Sequence, residues 1–270
     1  GDWSSDVCSS DLRIAMPLIE STRNETVKRA RQLATRKGRL EQGLHFIEGD
    51  RLVREAVISG AEIHEAFIEE GHELMAAVLE GAGARVYTLK RSVMETLTLT
   101  ETPQWVCATV KTPSVPVPEY YPEGLIVALD AVQDPGNLGT ILRTADAMGA
   151  VGLLLGSGCA DPYAPKPLRA AMGSIYHMPV WQGDLPTEIE KLKRQDYTLV
   201  CGHLKGEGTL PAATERMCLV IGNEGNGVSD NVADMCHKYR LPMYGFAESL
   251  NAAVAAGILI YELARGMHAE

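Results

Sequence analysis

Three stretches in the second half of the chain share one pattern: an apolar run, then a loop rich in Gly, Pro and Asn, then a helix or turn. They cover residues 129–143, 219–228 and 241–251. Loops that follow strands are where α/β proteins place their ligand sites. The side chains there that could bind a ligand or assist a reaction are Asn137, Arg143, Glu224, Ser249 and Asn251.

The arginine and the glycines of these stretches indicate what the loops could bind. The guanidinium of Arg143 can form charge-assisted hydrogen bonds with phosphate and can stabilise developing negative charge. Gly222, Gly225 and Gly227 allow the backbone to approach a ligand closely. Their order is G-x-x-G-x-G, which differs from the dinucleotide fingerprint G-x-G-x-x-G, so a nicotinamide-dependent oxidoreductase is disfavoured.

Several of these residues also have an ordinary structural interpretation. Asn137 and Ser249 both precede helical segments and could serve as helix caps. Arg143 lies six residues after Asn137, about 120° away around a helix, so the spacing alone assigns them no joint role. Arg143 could then be a surface side chain, and the glycines could form a simple tight turn.

The elements that position these loops alternate between strands and helices. In the second half we predict strands at 125–130, 151–155, 198–202 and 218–222, and helices at 138–148, 185–194 and 252–265. In the first half we predict a basic helix over 23–41, further helices at 51–59 and 73–80, and strands at 43–49, 63–69, 85–89 and 104–109. Both halves are therefore predicted to be α/β domains.

A proline-rich segment separates the two predicted domains. Residues 112–122 contain four prolines, which favour an extended and stiff connector. We predict domains at 16–111 and 124–270 with a linker at 112–123. Residues 1–15 lack the initiator methionine and the basic and apolar regions of a signal peptide, so we interpret them as a non-native leader.

In residue identity and order, the three stretches resemble the signature motifs of the SpoU (TrmH) class of RNA ribose 2′-O-methyltransferases, over residues 129–265. The resemblance implies a SPOUT α/β fold whose C-terminal part forms a deep trefoil knot. It also implies S-adenosyl-L-methionine as methyl donor, RNA as substrate and a homodimer. Residues 46–56 resemble, over a shorter stretch, the N-terminal substrate-binding domain of many SpoU enzymes, a small ribosomal-protein-like α/β module.

The resemblance implies roles for individual residues. Arg143 matches the family's catalytic arginine, and proton transfer and alkoxide stabilisation both stay open as its role, because a guanidinium scarcely loses a proton near neutral pH. The residues implied in catalysis are Asn137, Arg143, Glu224, Ser249 and Asn251. The residues implied in cofactor binding are Gly202, Ile221, Gly222, Glu224, Gly225, Met243, Ser249, Leu250 and Asn251.

Charge distribution bears on RNA binding in two ways. The net charge of -10 argues against non-specific nucleic-acid binding by the molecule as a whole. Residues 23–39 are nevertheless strongly basic, and they form either a solvated helix face or, as the resemblance favours, an RNA contact. Lys166 and Arg169 could equally be ordinary surface charges. The predicted RNA-binding residues are Arg29, Arg31, Lys37, Arg39, Lys166 and Arg169.

Composition limits which other classes of protein the chain could belong to. No run of about 18 apolar residues occurs, so we predict no membrane span. The 6 cysteines form no C-x-x-C pair and are predicted to be free thiols in a reducing cytoplasm, without disulfides or a metal. The leading hypothesis is a cytoplasmic RNA 2′-O-methyltransferase acting on ribosomal or transfer RNA, with the N-terminal domain favouring ribosomal RNA. The alternative is an RNA-binding module of the same fold that has lost catalysis.

Overall fold

Two sheets, one in each half of the chain, organise the protein. The computed structural model describes residues 17–269. The predicted non-native leader, residues 1–15, lies outside the described residues. The first half contains a mixed five-stranded sheet and the second half a parallel six-stranded sheet. The α/β class predicted for each half is therefore confirmed.

The first sheet has the strand order β1-β4-β3-β5-β2. Strands β3 and β4 run parallel, whereas β5 pairs antiparallel with both β3 and β2. The elements in chain order are β1 (Leu18–Ile19), α1 (Glu25–Gln32), α2 (Arg36–Gln42), β2 (Leu44–Glu48), α3 (Asp50–Ile58), β3 (Ile63–Glu69), α4 (Glu73–Gly81), β4 (Arg85–Leu89), α5 (Arg91–Leu97) and β5 (Val106–Lys111).

The second sheet has the strand order β11-β9-β10-β6-β7-β8, and its strands are parallel throughout. A 3-10 turn, Ser174–Tyr176, precedes β8. The elements in chain order are β6 (Gly124–Leu129), α6 (Pro135–Ala147), β7 (Gly152–Leu155), α7 (Pro165–Ala171), β8 (Val180–Gln182), α8 (Leu185–Arg194), β9 (Thr198–Glu207), β10 (Arg216–Ile221), α9 (Asp230–Ala233), β11 (His237–Tyr239) and α10 (Ala252–Met267).

The central strand β6 shows why this sheet is covered on both faces. Its residues from Leu125 to Leu129 are apolar and buried, the composition expected of a parallel strand enclosed by helices. Alternate side chains enter different clusters: Val127 joins the core that includes residues of α6 and α10, whereas Ile126 joins the core that includes residues of α8 and α9. Burial on both faces fixes β6 in the middle of the domain.

The register of the central strands brings their carboxyl ends to one level. Ile221 of β10 pairs with Leu129 of β6, and each is the last residue of its strand. Strand β9 pairs with the other side of β10, with Cys201 opposite Val220. The loops that follow β6 and β10, together with the end of β9, therefore meet at one edge of the sheet.

Several predicted helix boundaries are corrected by the structure. The basic segment 23–41 forms two helices. The first, α1, ends at Gln32, and Thr35 caps the second, α2, by accepting from the Gly38 amide at 3.1 Å. Asn137 does not cap α6: Asp134 does, and Pro135 occupies the first turn. Ser249 does not cap α10, since that cap is Asn251.

Helix α10 ends the described part of the fold with 16 residues. It buries Ala256, Leu259 and Ile260 against the sheet, while Val254 and Ile258 remain exposed on its other face. Within residues 17–269, no helix has both the length and the apolar character needed to cross a membrane.

The proline-rich segment contains no helix or strand and is fixed onto the second half of the chain. Tyr121 is buried, and its hydroxyl donates to the Glu188 carboxylate at 2.8 Å. The Lys191 ammonium and the Gln195 amide donate to backbone carbonyls of the segment. Contacts with α8 and its C-terminal cap therefore hold residues 118–121 of this connector in place.

Candidate active site

A cavity of about 600 Å³ opens at the edge where the central strands end. Its size falls within the usual range of small-molecule pockets. The wall consists of residues 202–205 of β9, residues 221–228 at and after β10, residues from 238 to 250, and three residues of α10. The second and third stretches singled out from the sequence, 219–228 and 241–251, thus contribute to one concave surface, whereas the first, 129–143, provides no wall residue.

Most of the residues predicted to bind a cofactor lie on this wall. They are Gly202, Ile221, Gly222, Glu224, Gly225, Met243, Ser249 and Leu250. Asn251 is not a wall residue, because its side chain turns back to cap α10. Leu241 and Leu259 add apolar surface to the wall, so the cavity combines an apolar patch with accessible backbone groups.

The loop after β10 is compact and leaves no space for a side chain at its first glycine. A Cβ atom at Gly222 would lie 2.1 Å from the carbonyl carbon of Gly227 and 2.2 Å from the amide nitrogen of Val228. Asn223 and Gly227 exchange backbone hydrogen bonds of 3.0 and 2.9 Å. The Asn223 side chain accepts from Gly225 and Asn226 and donates to the Ala131 carbonyl. These bonds close the loop and tie it to the loop after β6.

Glu224 is held at the start of α6. Its carboxylate accepts from the backbone amides of Gln133 at 3.2 Å and Asp134 at 2.9 Å, and from the side-chain amide of Asn137 at 3.3 Å. Burial acts to raise the pKa of Glu224, but the hydrogen bonds from Asp134, Gln133 and Asn137 outweigh it, so the pKa lies below the ordinary glutamate value. Glu224 is therefore a carboxylate at neutral pH. The stability that its hydrogen bonds contribute to the fold is lost only as the pH falls through that lowered pKa.

Asn137 joins the third predicted stretch to the other two. Its side-chain oxygen accepts from the Asn251 amide at 3.1 Å, while its own amide donates to Glu224. The Asn251 oxygen accepts from the backbone amides of Ala253 and Val254 at the start of α10. A continuous chain of hydrogen bonds, Glu224–Asn137–Asn251, thus links all three loops.

Two substitutions of Asn251 distinguish its role as the N-cap of α10 from its hydrogen bond to Asn137. We expect Asn251→Ala to lower the free energy of unfolding by about 1 kcal/mol, the usual cost of a lost N-cap. Asn251→Asp preserves the cap but cannot donate to Asn137, so it should retain wild-type stability. Both variants should slow turnover by about tenfold, because both break the chain of hydrogen bonds. Chemical denaturation measures the free energy of unfolding, and steady-state kinetics measure turnover. Wild-type turnover in Asn251→Asp would contradict a role in catalysis for the hydrogen bond between Asn251 and Asn137.

Arg143 and Ser249 occupy different positions relative to this chain. Ser249 lies on the cavity wall and is exposed. Arg143 is exposed on α6, six residues after Asn137, and is not part of the wall. The guanidinium is thus presented by the helix whose first turn is fixed by Glu224, outside the space that a bound cofactor would fill.

The cavity wall includes polar residues that the sequence analysis did not assign. They include Lys205, Asn223, Asn226, Asp230, Lys238, Arg240 and Glu248. Asn223 and Asn226 carried a local signal, as Asn residues within a glycine-rich turn. Lys205 and Lys238 become neighbours of the cavity through the pairing of β9 with β11, which shifts register between Lys238 and Tyr239.

Comparison with family models decides the family. The model of the SpoU rRNA Methylase family matches residues 124–261, which is half of the chain. The chain belongs to the SpoU rRNA methylase family. A second model, the MRM3-like substrate binding domain, matches residues 24–108. The resemblance noted from the three stretches is confirmed, and with it the chain is an RNA methyltransferase whose cofactor is S-adenosyl-L-methionine.

Individual relatives agree with this membership over nearly the whole chain. The 23S rRNA (guanosine(2553)-2′-O)-methyltransferase RlmP of Bacillus subtilis is 36% identical over 92% of this chain and 99% of its own length. The crystal structure of AdoMet-bound rRNA methyltransferase from Sinorhizobium meliloti has a TM-score of 0.86 at 33% identity, covering 94% of this chain and 99% of that one. The SpoU methyltransferase AviRb from Streptomyces viridochromogenes, in complex with AdoMet, has a TM-score of 0.79 at 29% identity, with coverage of 90% and 98%.

The residues of the cavity fit S-adenosyl-L-methionine chemically. The cofactor has an apolar adenine face, hydrogen-bonding ring edges and a charged amino-acid tail. The wall provides apolar surface from Leu250 and Leu259 and open backbone at Gly222. It also provides charged groups of both signs, among them Glu224 and Lys205. This SpoU methylase therefore has a cavity with a matching group for each part of its cofactor.

The residues predicted to bind RNA fall into two sets. Arg31 and Lys37 are exposed on α1 and α2, and Arg29 is exposed while paired with Glu65 at 3.2 Å. The prediction for Arg39 is wrong. Its side chain is only 8% exposed, and its guanidinium donates to Asp161 and to the Leu33 and Ala34 carbonyls. Its donors are therefore used within the protein.

Lys166 and Arg169 lie on α7, and their surroundings differ. The Lys166 ammonium would be 3.9 Å from a Cβ atom built at Gly136, so it lies beside the first turn of α6. Arg169 is partly exposed, and its Nη1 atom lies 3.9 Å from Glu48, in contact with the first half of the chain. Lys166 is therefore the better placed of the two to meet a substrate near Asn137.

Cysteines and metal ligands complete the inventory of the described residues. Cys107, Cys159, Cys201, Cys218 and Cys236 are free thiols. Burial raises the pKa of Cys218 to about 12, so this thiol stays protonated and unreactive. Among residues 17–269, no group of three or more His, Cys, Asp or Glu side chains is arranged to hold a metal ion.

Proposed function

We propose that this SpoU methylase transfers a methyl group to a ribose 2′-hydroxyl in ribosomal RNA. The observation that carries the proposal is the hydrogen-bonded chain Glu224–Asn137–Asn251, which joins the three family motifs beside the cofactor cavity. The Bacillus subtilis relative, by its name, methylates a 2′-oxygen of 23S rRNA. Its match over 92% of this chain favours ribosomal RNA over transfer RNA as the substrate.

The reaction needs the acceptor oxygen to be held in line with the donor and its developing charge to be stabilised. The bound cofactor supplies an electrophilic methyl group on a sulfonium. In our proposal Asn137 and Asn251 fix the start of α6 against α10, and Ser249 orients the acceptor ribose at the wall. Arg143 stabilises the negative charge that develops on the 2′-oxygen and on the neighbouring phosphate, because a guanidinium keeps its proton near neutral pH and acts as a hydrogen-bond donor only. The proton of the 2′-hydroxyl passes to solvent water as the O–C bond to the methyl group forms and the C–S bond of the donor breaks.

RNA binding is assigned to the first half of the chain together with α7. Arg29, Arg31 and Lys37 expose basic groups on α1 and α2, and Lys166 lies beside the start of α6. Basic groups of this kind attract the phosphate backbone without reading sequence. The RNA would therefore contact both halves of the protein at once.

We also assign the finer features of the fold by family resemblance. The C-terminal part forms a deep trefoil knot, and the N-terminal module is ribosomal-protein-like. The domains extend over residues 16–111 and 124–270, joined by the linker 112–123. The five described free thiols support a reducing compartment, the cytoplasm, as the location.

A homodimer is supported by exposed apolar side chains near the cavity. Val254, Ile258 and Tyr261 follow the i, i+4, i+7 spacing of one helical face, and all three are exposed on α10. Tyr244 and Phe246, in the segment before α10, are almost fully exposed. An apolar surface of this kind is typical of protein–protein interfaces, so we assign it to contact with a second copy.

Replacement of an apolar residue on this face should disrupt the dimer. We expect Ile258→Glu to convert the dimer into a monomer, because a buried unpaired carboxylate is costly at an interface. Sedimentation analysis measures the mass directly. Leu74→Glu is the matched control, since Leu74 is an equally apolar but 87% exposed residue on α4, in the other half of the chain. A monomeric wild type, or an unchanged Ile258→Glu dimer, would contradict the assignment.

The test of the function is methyl transfer to ribosomal RNA. The protein is incubated with radiolabelled S-adenosyl-L-methionine and either ribosomal or transfer RNA, and the RNA is then hydrolysed in alkali. A 2′-O-methyl group blocks cleavage at its own nucleotide, so label is expected in an alkali-resistant dinucleotide from ribosomal RNA. Label in mononucleotides would indicate base methylation and reject the proposal. RNA binding without any transfer would indicate an inactive RNA-binding module.

A further inference from the structure

The contact between the two halves of the protein includes charged groups, and one histidine, His177, bonds to both halves. His177 follows the 3-10 turn of the second half. Its Nε2 atom lies 2.7 Å from the Glu55 carboxylate of α3, and its Nδ1 atom lies 2.6 Å from the Asp146 carboxylate of α6. A histidine can donate to two carboxylates at once only when both ring nitrogens carry protons. The geometry therefore describes an imidazolium bridging two carboxylates.

The Asp146 end of this bridge lies on the helix that carries the candidate active-site residues. Asp146 follows Arg143 by three residues on α6, so the two share one region of the helix surface. The Glu55 end lies in the half that carries the basic helices. Glu55 packs closely against the backbone here, since a Cβ atom at Gly173 would lie 2.4 Å from its Cγ atom. His177 thus connects α3 directly to α6.

Other contacts across this boundary are both apolar and polar, since one hydrophobic cluster includes buried residues of α3 and of α7. Arg39 pairs with Asp161 at 2.8 Å, and buried His45 lies 2.8 Å from the Tyr176 hydroxyl. Burial lowers the pKa of His45 to about 3, so His45 is neutral whenever the protein is folded near neutral pH. The orientation of the two halves therefore depends on this apolar packing together with a small number of specific polar bonds.

We propose that His177 is a positioning residue: in its doubly protonated form it holds the RNA-binding half against α6, so that one RNA molecule reaches both surfaces together. This role rests on the proposed function, because it concerns RNA that contacts both halves. The charged groups facing the ring are Asp146 on α6 and Glu55 on α3, and its neighbour in the 3-10 turn, Tyr176, turns instead to His45.

The bridge gives the contact a pH dependence whose direction follows from the geometry. The hydrogen bond to Asp146, and then that to Glu55, raises the pKa of His177 above the ordinary histidine value, against the opposing effect of burial. The bridge is thus fully formed below a pH of about 6.5 and is lost as the pH rises through the raised pKa. The cofactor cavity lies away from this contact and should not share the dependence.

The experiment compares His177→Gln with wild type at pH 6.5 and pH 9. Glutamine keeps one amide donor but no charge. We expect kcat/KM for ribosomal RNA to fall about tenfold at pH 6.5 and to stay within about twofold of wild type at pH 9. The ratio of the two enzymes cancels the pH dependence of the chemical step. The dissociation constant of S-adenosyl-L-methionine should be the same in both.

Two further variants define the effect. Glu55→Gln should reproduce the loss of kcat/KM at pH 6.5, and His64→Gln, at a half-exposed histidine on β3, is the control.

Hydrogen exchange in the absence of RNA tests the contact independently of activity. We expect the amides of α3 to exchange faster in His177→Gln than in wild type at pH 6.5, and equally at pH 9. Equal exchange at pH 6.5 would overturn the proposal, and so would faster exchange with unchanged kcat/KM for RNA. If wild type methylates no RNA, the proposed function fails, while the exchange comparison still decides whether His177 holds the two halves together.

Discussion

Arg143→Ala is expected to reduce methyl transfer to RNA by about 10²–10³-fold, the usual effect of removing one group that stabilises developing negative charge. The loss should appear in kcat. Because Arg143 lies outside the cavity wall, the affinity for S-adenosyl-L-methionine should change by no more than about twofold. Single-turnover kinetics with saturating RNA and cofactor measure the first quantity, and calorimetric titration measures the second.

Two controls define what this result means. Arg194→Ala removes an exposed arginine that pairs with Glu190 on α8, so it changes the net charge equally and should leave turnover intact. Arg143→Lys keeps the charge but loses the planar fork of donors, and we expect it to recover only a small part of the rate. Full activity in Arg143→Lys would show that charge alone suffices, and full activity in Arg143→Ala would remove Arg143 from the mechanism.

Gly222→Ala is expected to abolish binding of S-adenosyl-L-methionine. The added Cβ atom would lie 2.1 Å from a backbone carbon of Gly227, and backbone atoms cannot move aside as the end of a flexible side chain can. The loop must open, and this separates Glu224 from α6 and changes the shape of the cavity. We expect the cofactor affinity to fall by at least about 100-fold and the protein to lose about 1–3 kcal/mol of stability.

Gly208→Ala is the matched control for this substitution. A Cβ atom at Gly208 meets no other atom within 4 Å, and the residue lies just beyond β9, outside the cavity wall. Its stability and cofactor affinity should equal those of wild type. Equilibrium dialysis with labelled cofactor and thermal unfolding measure both effects. Wild-type cofactor binding by Gly222→Ala would show that the loop adopts another conformation when the cofactor is bound.

The elements that sequence patterns predicted well are those in which burial leaves little choice. Strand β3 was predicted at 63–69 and occurs at Ile63–Glu69, since both of its faces are buried, with Ala66 and Ile68 in one hydrophobic cluster and Phe67 in another. Helix boundaries were predicted less well, because several residues compete to cap one end. Asp134 rather than Asn137 caps α6, and the amide of Asn137 is then free to join Glu224 to Asn251.

The site was predictable where it consists of loops that directly follow strands, and not where it depends on contacts between distant residues. The family motifs name both Glu224 and Asn251, and the structure links these two residues through Asn137 at one edge of the sheet. Sequence could not predict that Arg39 pairs with Asp161, because the two are brought together only by the packing of the two halves. A basic residue in a basic segment carries no sign of such burial.

The pairing of β6 with β10 also determines when the protein becomes competent during its synthesis. Strand β6 opens the second half of the chain, yet the neighbour that completes the cavity beside it, β10, comes only after three helices and three other strands. Pairings between distant segments form slowly, and chains emerge from the ribosome at about 5–20 residues per second. The segment 238–250 and helix α10, which close the cavity, emerge after the other described elements. A nascent chain therefore cannot capture its methyl donor until α10 has been synthesised, and products truncated before α10 would fold, at most, into an RNA-binding half without a cofactor site.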